Sequence, residues 1–93
     1  MKKVWKYAIQ NITTLSLPKG AVVLSVGFKG QNLFLWVLVE ETEVIKEDRK
    51  FQTFKTNDPI EHNLDQLKYI GSCGIVDNTM FFHTFEIRNE IPV

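Results

Sequence analysis

Residues 55–59 place a positive charge, a hydroxyl, an amide and a carboxylate at the end of a predicted strand, ahead of a proline. The side chains of Lys55, Thr56 and Asn57, together with free backbone amides of a loop, can bind a phosphate or a ribose. The same composition is typical of an Asx turn that ends a strand. A binding loop and a plain turn are therefore both consistent with this segment.

Aromatic residues on strands are a second group of candidate ligand contacts. Trp5 and Tyr7 flank Lys6 near the N-terminus, and Trp36 lies within a long apolar run. Their rings can stack on a base, although aromatic side chains of strands more commonly fill a core. We take Trp5, Lys6 and Tyr7 as candidate ligand contacts, with core packing as the alternative.

The two histidines are the candidates for proton transfer. His83 alternates with Phe81 and Phe85 along a predicted strand. This favours an imidazole hydrogen-bonded within a core or at its rim over one that contacts a ligand or transfers a proton. His62 follows Glu61 in a polar connection, and we expect it to be solvated. Neither has a carboxylate at ligand spacing, so no metal site is predicted.

The chain contains no motif of a nucleophile elbow or of a phosphate-binding loop. Residues 71–74, Gly-Ser-Cys-Gly, predict a bend or bulge in a strand rather than an active site. Cys73 lacks zinc-ligand neighbours, which predicts a buried or half-buried structural thiol. The sequence favours a non-enzymatic protein without a cofactor. An enzyme that pairs His83 with Glu86 or Asp58 is the less favoured alternative.

The charge balance narrows the class of partner. Eleven basic residues match eleven acidic ones without a long tract of either sign, which argues against a nonspecific binder of DNA or RNA. No apolar run reaches the roughly eighteen residues of a membrane helix, and no signal-peptide core follows the basic N-terminus. The single cysteine precludes an internal disulfide. These features predict a cytoplasmic protein that does not bind membranes.

The elements that must position these groups are strands. Apolar and polar residues alternate between turn signals, which predicts one all-β domain over residues 1–93. The expected fold is a small antiparallel sandwich or barrel of about seven strands with at most one short helical turn. Predicted strands cover residues 4–9, 12–17, 21–28, 33–39, 49–56, 69–76 and 79–87, with an exposed acidic loop at 40–48, a possible helical turn at 59–67 and a tight turn at 77–78.

The strand at residues 33–39 is unusual, because seven apolar residues in succession leave neither face for water. One face can pack in the core, but the other must also be covered, since large apolar patches are rarely left bare on monomers. We therefore predict a homo-oligomer. A closed barrel or a second layer of a sandwich is the alternative.

Six short segments form a recognisable pattern: Lys-Val-Trp-Lys-Tyr at 3–7, Leu-Pro-Lys-Gly-Ala at 17–21, Leu-Ser-Val at 24–26, the apolar run at 33–39, Tyr-Ile-Gly-Ser at 69–72 and Phe-His-Thr-Phe-Glu at 82–86. The pattern spans nearly the whole chain and resembles a family of small proteins of unknown function from phages and prophages. That family tends to carry Gly-Thr-Gly-His-Pro, whereas residues 54–60 of this chain lack both glycines and the histidine.

The resemblance implies an accessory gene product rather than a housekeeping enzyme, and it assigns no activity. By analogy, small phage proteins without catalytic groups often act by binding. We therefore hypothesise a module that sequesters a small nucleotide-derived immune signalling molecule at subunit borders, as an anti-defence sponge. The alternative is a protein-protein interaction module that inhibits or caps a host macromolecule without a small ligand. The residues assigned to ligand binding are Lys55, Thr56, Asn57, Lys6, Trp5, Tyr7 and His83.

Overall fold

A computed structural model describes residues 1–75 and 80–88 of the chain. Within these residues there are seven strands and one short 3₁₀ helix. The strands are β1 (Lys2–Ile9), β2 (Ile12–Pro18), β3 (Val22–Lys29), β4 (Asn32–Glu40), β5 (Lys46–Lys55), β6 (Leu67–Gly74) and β7 (Phe81–Ile87), and the 3₁₀ helix is Leu64–Gln66.

The strands form two antiparallel sheets that pack face to face as a sandwich. Sheet A has the strand order β1-β4-β3, and sheet B has the order β2-β5-β7-β6. The edge strand β3 of sheet A lies close to the edge strand β6 of sheet B, where the side chain of Val26 approaches the backbone of Gly71. The predicted all-β sandwich of about seven strands is confirmed. The barrel alternative is wrong, because each sheet keeps its own edge strands.

Strand β4 supplies the centre of the core. Leu35 and Val37 are fully buried and Val39 is nearly so, because alternate side chains of this strand face sheet B. They belong to one apolar cluster with Leu17 of β2 and Phe51 of β5. One face of the doubly apolar strand is therefore covered within the chain.

The opposite face of β4 carries Phe34, Trp36 and Leu38, which are only half-buried. Strands β1 and β3 flank these side chains, but no further layer of the described residues lies over them. The indole of Trp36 lies against Gly27 of β3, where an added Cβ would be 3.4 Å from the ring atom Cζ3. Trp36 is thus a residue of the outer surface of the sandwich, and the sandwich covers only one of the two apolar faces.

The predicted acidic loop at residues 40–48 is wrong at its C-terminal end. Lys46, Glu47 and Asp48 belong to β5 and pair with residues of β2. Their side chains are exposed, so these charged residues extend the strand without entering the core. Backbone pairing with β2 therefore outweighs the low strand propensity of this segment.

Two smaller predictions are confirmed. The 3₁₀ helix Leu64–Gln66 falls within the segment expected to hold a helical turn. The pairing of β6 with β7 shifts register between Tyr69 and Gly71, so a bulge directly precedes the Gly-Ser-Cys-Gly segment. The tight turn expected at residues 77–78 lies outside the described residues. The described part of the chain contains no helix long and apolar enough to cross a membrane.

Candidate functional site

A cleft of about 540 Å³ opens between the two sheets at one end of the sandwich. The β1–β2 turn, the β3–β4 turn and the end of β5 meet there. The volume is within the roughly 300–1,000 Å³ that small-molecule sites occupy. Its apolar lining residues are Ile9, Phe28, Leu33 and Phe82, and its polar ones are Gln10, Asn11, Gln31, Asn32, Thr53, Lys55 and Asp58.

Two short turns provide the carboxamides of the cleft. Gln10 and Asn11 connect β1 to β2, and the backbone carbonyl of Asn11 accepts a hydrogen bond of 2.9 Å from the amide of Thr53 on β5. In the other turn, Gly30 has a φ of 65°, which glycine adopts without strain, and Gln31 follows it. Each carboxamide offers both a donor and an acceptor, so the cleft can pair with the hydrogen-bonding edge of a heterocycle.

An aromatic pair joins the two sheets inside the cleft. The rings of Phe28 on β3 and Phe82 on β7 lie edge to face, with their centroids 5.4 Å apart and their planes at 67°. This arrangement is favourable for two aromatic quadrupoles. The pair gives the cleft a firm apolar wall against which a planar ligand can lie.

Lys55 brings a positive charge to the cleft at the last residue of β5. The turn after it closes on itself: the Asp58 carboxylate accepts from the Lys55 backbone amide at 3.1 Å, and the Asp58 amide donates to the Lys55 carbonyl at 3.0 Å. Asn57 takes a φ of 79°, a left-handed conformation that asparagine tolerates. The segment is therefore an ordered turn, as one interpretation of the sequence held, and it also positions a lysine at the cleft.

His83 lies on the outer face of sheet B, on the opposite side of β7 from Phe82. Its Nε2 is 2.7 Å from the Thr56 hydroxyl, and its Nδ1 is 2.7 Å from the Ser72 hydroxyl. The Ser72 oxygen is in turn 2.7 Å from the Tyr69 hydroxyl. These bonds tie the end of β5 to β7 and β6, and they confirm the expectation that the imidazole is hydrogen-bonded.

The carboxylates considered as partners of His83 are engaged elsewhere. Glu86 accepts hydrogen bonds from Arg49 on the inner side of sheet B, and Asp58 bonds to the turn after β5. The expectation that His62 is solvated is wrong. His62 is half-buried with its ring 6.3 Å from that of Phe54, and its buried Nδ1 has no hydrogen-bond partner among the described residues.

The structure separates the predicted ligand contacts into several places. Lys55 lines the cleft, while Thr56 and Asn57 line a smaller depression beside it. Tyr7 packs against the core, where burial raises the pKa of its hydroxyl, and Trp5 lies on the same face of β1 with 36 % of its surface exposed. Core packing is therefore confirmed for Tyr7.

Lys6 lies on the outer face of sheet A and does not line the cleft. Its Nζ is 4.6 Å from the centroid of the Phe34 ring, a cation–π contact. Sequence reasoning missed the carboxamides of the two turns as cleft residues. Their only signal is a polar turn before an apolar strand, which is common to most hairpins.

The thiol of Cys73 is half-buried, as the sequence predicted. Burial raises its pKa, because the thiolate is poorly solvated in this position. We expect iodoacetamide to alkylate Cys73 more slowly in the folded protein than in urea, with the difference persisting as the pH rises through the range in which a free thiol ionises. Mass spectrometry of timed samples measures both rates. Faster alkylation of the folded protein would indicate an activated cysteine instead.

The fold is an all-β sandwich with a cleft between the sheets at one end. The chain belongs to the family described as "Domain of unknown function (DUF7352)", whose model matches residues 1–92. No curated protein and no solved structure matches the chain. An uncharacterised family, as the sequence pattern implied, is thus confirmed.

Proposed function

We propose that this protein is a non-enzymatic binding module that holds a small nucleotide-derived molecule in the cleft between its sheets. The observation that carries the proposal is the combination of an aromatic wall, carboxamide turns and a lysine around one cavity. The aromatic wall suits the faces of a base, the carboxamides suit its polar edge, and the lysine suits a phosphate. The proposal puts the ligand in the cleft of a single chain, where the sequence hypothesis had it at a subunit border.

The contacts expected of such a ligand follow from the lining. A base would lie against Phe28 and Phe82, which remove its faces from water. Its polar edge would pair with the carboxamides of Gln10, Asn11 or Gln31. A phosphate would lie near Lys55, whose ammonium group provides a charged donor.

Binding without turnover is supported by the positions and hydrogen bonds of Asp58 and His83, the two groups best suited to acid–base chemistry near the cleft. The Asp58 carboxylate lines the cleft but accepts a hydrogen bond from the Lys55 backbone amide, which gives it a structural role in the turn. The hydrogen-bonded His83 lies on the outer face of the sheet and not among the residues that line the cleft.

We further propose a biological role for the binding module in the conflict between phage and host. The motif pattern resembles proteins of phages and prophages, and a binding module of that origin would suit sequestration of a nucleotide signal of host antiviral defence in the cytoplasm. This step rests on resemblance and on analogy with other small phage proteins.

Replacing Lys55 with alanine is expected to weaken ligand binding by about 1.5–3 kcal/mol, which is the range for a hydrogen bond to a charged group. Thermal stability should change little, because Lys55 is exposed. Affinity for the ligand should also fall as salt is added. Calorimetric titration against cyclic dinucleotides and ADP-ribose derivatives measures these effects.

Lys6→Ala is the matched control, because it removes a lysine from the outer face of sheet A and leaves the cleft intact. It should bind the ligand as the wild type does. An equal loss in both variants would contradict the cleft as the site, and a wild type that binds no member of the panel would contradict the ligand class. Mass spectrometry of ligand released by denaturation should recover it unaltered, since an altered product would indicate an enzyme.

A further inference from the structure

The outer face of sheet A is an apolar surface that no further layer of the described residues covers. Its central strand β4 contributes half-buried aromatic and aliphatic side chains, and the flanking strands add exposed ones. Val4 and Val22 are each 52 % exposed, and Leu24 is 49 % exposed. Apolar patches of this kind mark interaction sites on soluble proteins. The main apolar residues of this face are Val4, Val22, Leu24, Phe34, Trp36 and Leu38.

Two charged side chains on this face lie at its rim. Lys2 is on the edge strand β1, and Lys29 ends the edge strand β3. Lys6, also on β1, extends over the face, with its Nζ 4.6 Å from the centroid of the Phe34 ring. Glu40, at the end of β4, forms an ion pair with the N-terminal ammonium group. An apolar centre with aromatic residues and a charged rim is the composition of homodimer interfaces.

We propose that the outer face of sheet A binds the same face of a second copy, around a two-fold axis parallel to β4. Such a dimer would supply the cover that the second apolar face of β4 lacks. The interface is separate from the cleft, so the proposal stands independently of the ligand.

The strand register makes this face self-complementary. One row across the sheet is Val4, Leu38 and Val22, and the next row is Lys6, Trp36 and Ser25. A two-fold axis along β4 exchanges the β1 side with the β3 side. Val4 of one copy therefore faces Val22 of the other, and the Lys6 position of each copy lies opposite Ser25 of the other.

Charge and strand geometry support a second copy as the occupant. In these rows no lysine meets a lysine, and the chain has a formal net charge of zero, so two copies do not repel each other overall. The central side chains of β4 meet their own counterparts at the axis. Two sheets that pack face to face keep their strands within about 30° of alignment. Each row of one copy therefore lies approximately over the same row of the other.

Sedimentation velocity of the full chain at micromolar concentrations is the first test. The wild type should sediment as a dimer, and Leu38→Asp should raise its dissociation constant by at least about thirtyfold, as expected for a central interface residue. Ile12→Asp, at an exposed position on β2 of the other sheet, should leave the dimer intact. A wild-type monomer would overturn the proposal and leave the face to a different macromolecule. A dimer that survives Leu38→Asp would place the interface elsewhere.

Cross-linking tests the symmetry and does not depend on the folding of Leu38→Asp. In a Cys73→Ser background, Val4→Cys and Val22→Cys are each treated with a bismaleimide that spans about 10 Å, the usual distance between packed sheets. An equimolar mixture of the two variants should form covalent dimers, whereas each variant alone should not. Cross-linking of Val4→Cys to itself, with no cross-link between the two variants in the mixture, would overturn the two-fold axis along β4.

Discussion

Replacing Arg49 with methionine is expected to lower the free energy of unfolding by about 3–5 kcal/mol, because it leaves a carboxylate with little solvent and no cation. Arg49 Nε and Nη2 donate to the two Glu86 carboxylate oxygens at 2.7 and 2.9 Å, and Nη1 donates to the Ala21 carbonyl at 2.6 Å. The two side chains are only 17 % and 12 % exposed. The bond to Glu86 raises the pKa of the guanidinium further, so the cation persists throughout the pH range of a stable fold.

Urea unfolding of Arg49→Met measures this cost against two comparisons. Lys3→Met removes the exposed ion pair with Glu41, whose Nζ–Oε2 distance is 2.9 Å, and should cost at most about 1 kcal/mol. The double variant Arg49→Met/Glu86→Leu should recover part of the loss, because it removes the unpaired carboxylate as well. A cost for Arg49→Met no greater than that for Lys3→Met would show that the half-buried Arg49–Glu86 pair contributes no more to stability than an exposed pair.

Leu35→Ala is expected to cost about 2–5 kcal/mol, because it opens a cavity at the centre of the core. Leu35 has no exposed surface and lies in the same apolar cluster as Phe51. The variant should shift the urea midpoint strongly without changing the slope of the transition.

Leu38→Ala is the matched control on the same strand. Leu38 faces the outer side of sheet A and is half-buried, so its truncation should cost about 1 kcal/mol at a protein concentration low enough to keep the chain monomeric. Trp36→Ala should likewise cost less than the 3–5 kcal/mol typical of a core tryptophan. Equal losses for Leu35→Ala and Leu38→Ala would mean that a single chain covers both faces of β4.

The strands were predictable because their signal is local. Side chains of a strand alternate between its two faces, so a period of two appears in the sequence itself, as in β1 and β2. The start of β5 was missed for the same reason. Lys46, Glu47 and Asp48 carry no apolar alternation, and only their pairing with β2 makes them a strand.

The candidate site was only partly predictable. Lys55 was found because a cation at a strand exit is a recognisable local feature, and His83 was correctly expected to be hydrogen-bonded. The identity of its partners, Thr56 and Ser72, required the pairing of β7 with β5 on one side and β6 on the other. The separation of Lys6 from Lys55 was also a result of the tertiary structure, since Lys6 lies on the outer face of sheet A whereas Lys55 lines the cleft between the sheets.

The sequence by itself determined that this protein is an all-β domain with a strand whose two faces are both apolar. Which of those faces is covered was decided by the tertiary structure, since sheet B can lie over only one side of β4. The cleft was decided in the same way. Its two turns meet because β1 and β3 both pair with β4, and Lys55 reaches them because sheet B packs against sheet A. Alternation fixes the two faces of a strand, whereas the choice of neighbours depends on contacts between residues distant in sequence, which no local pattern encodes.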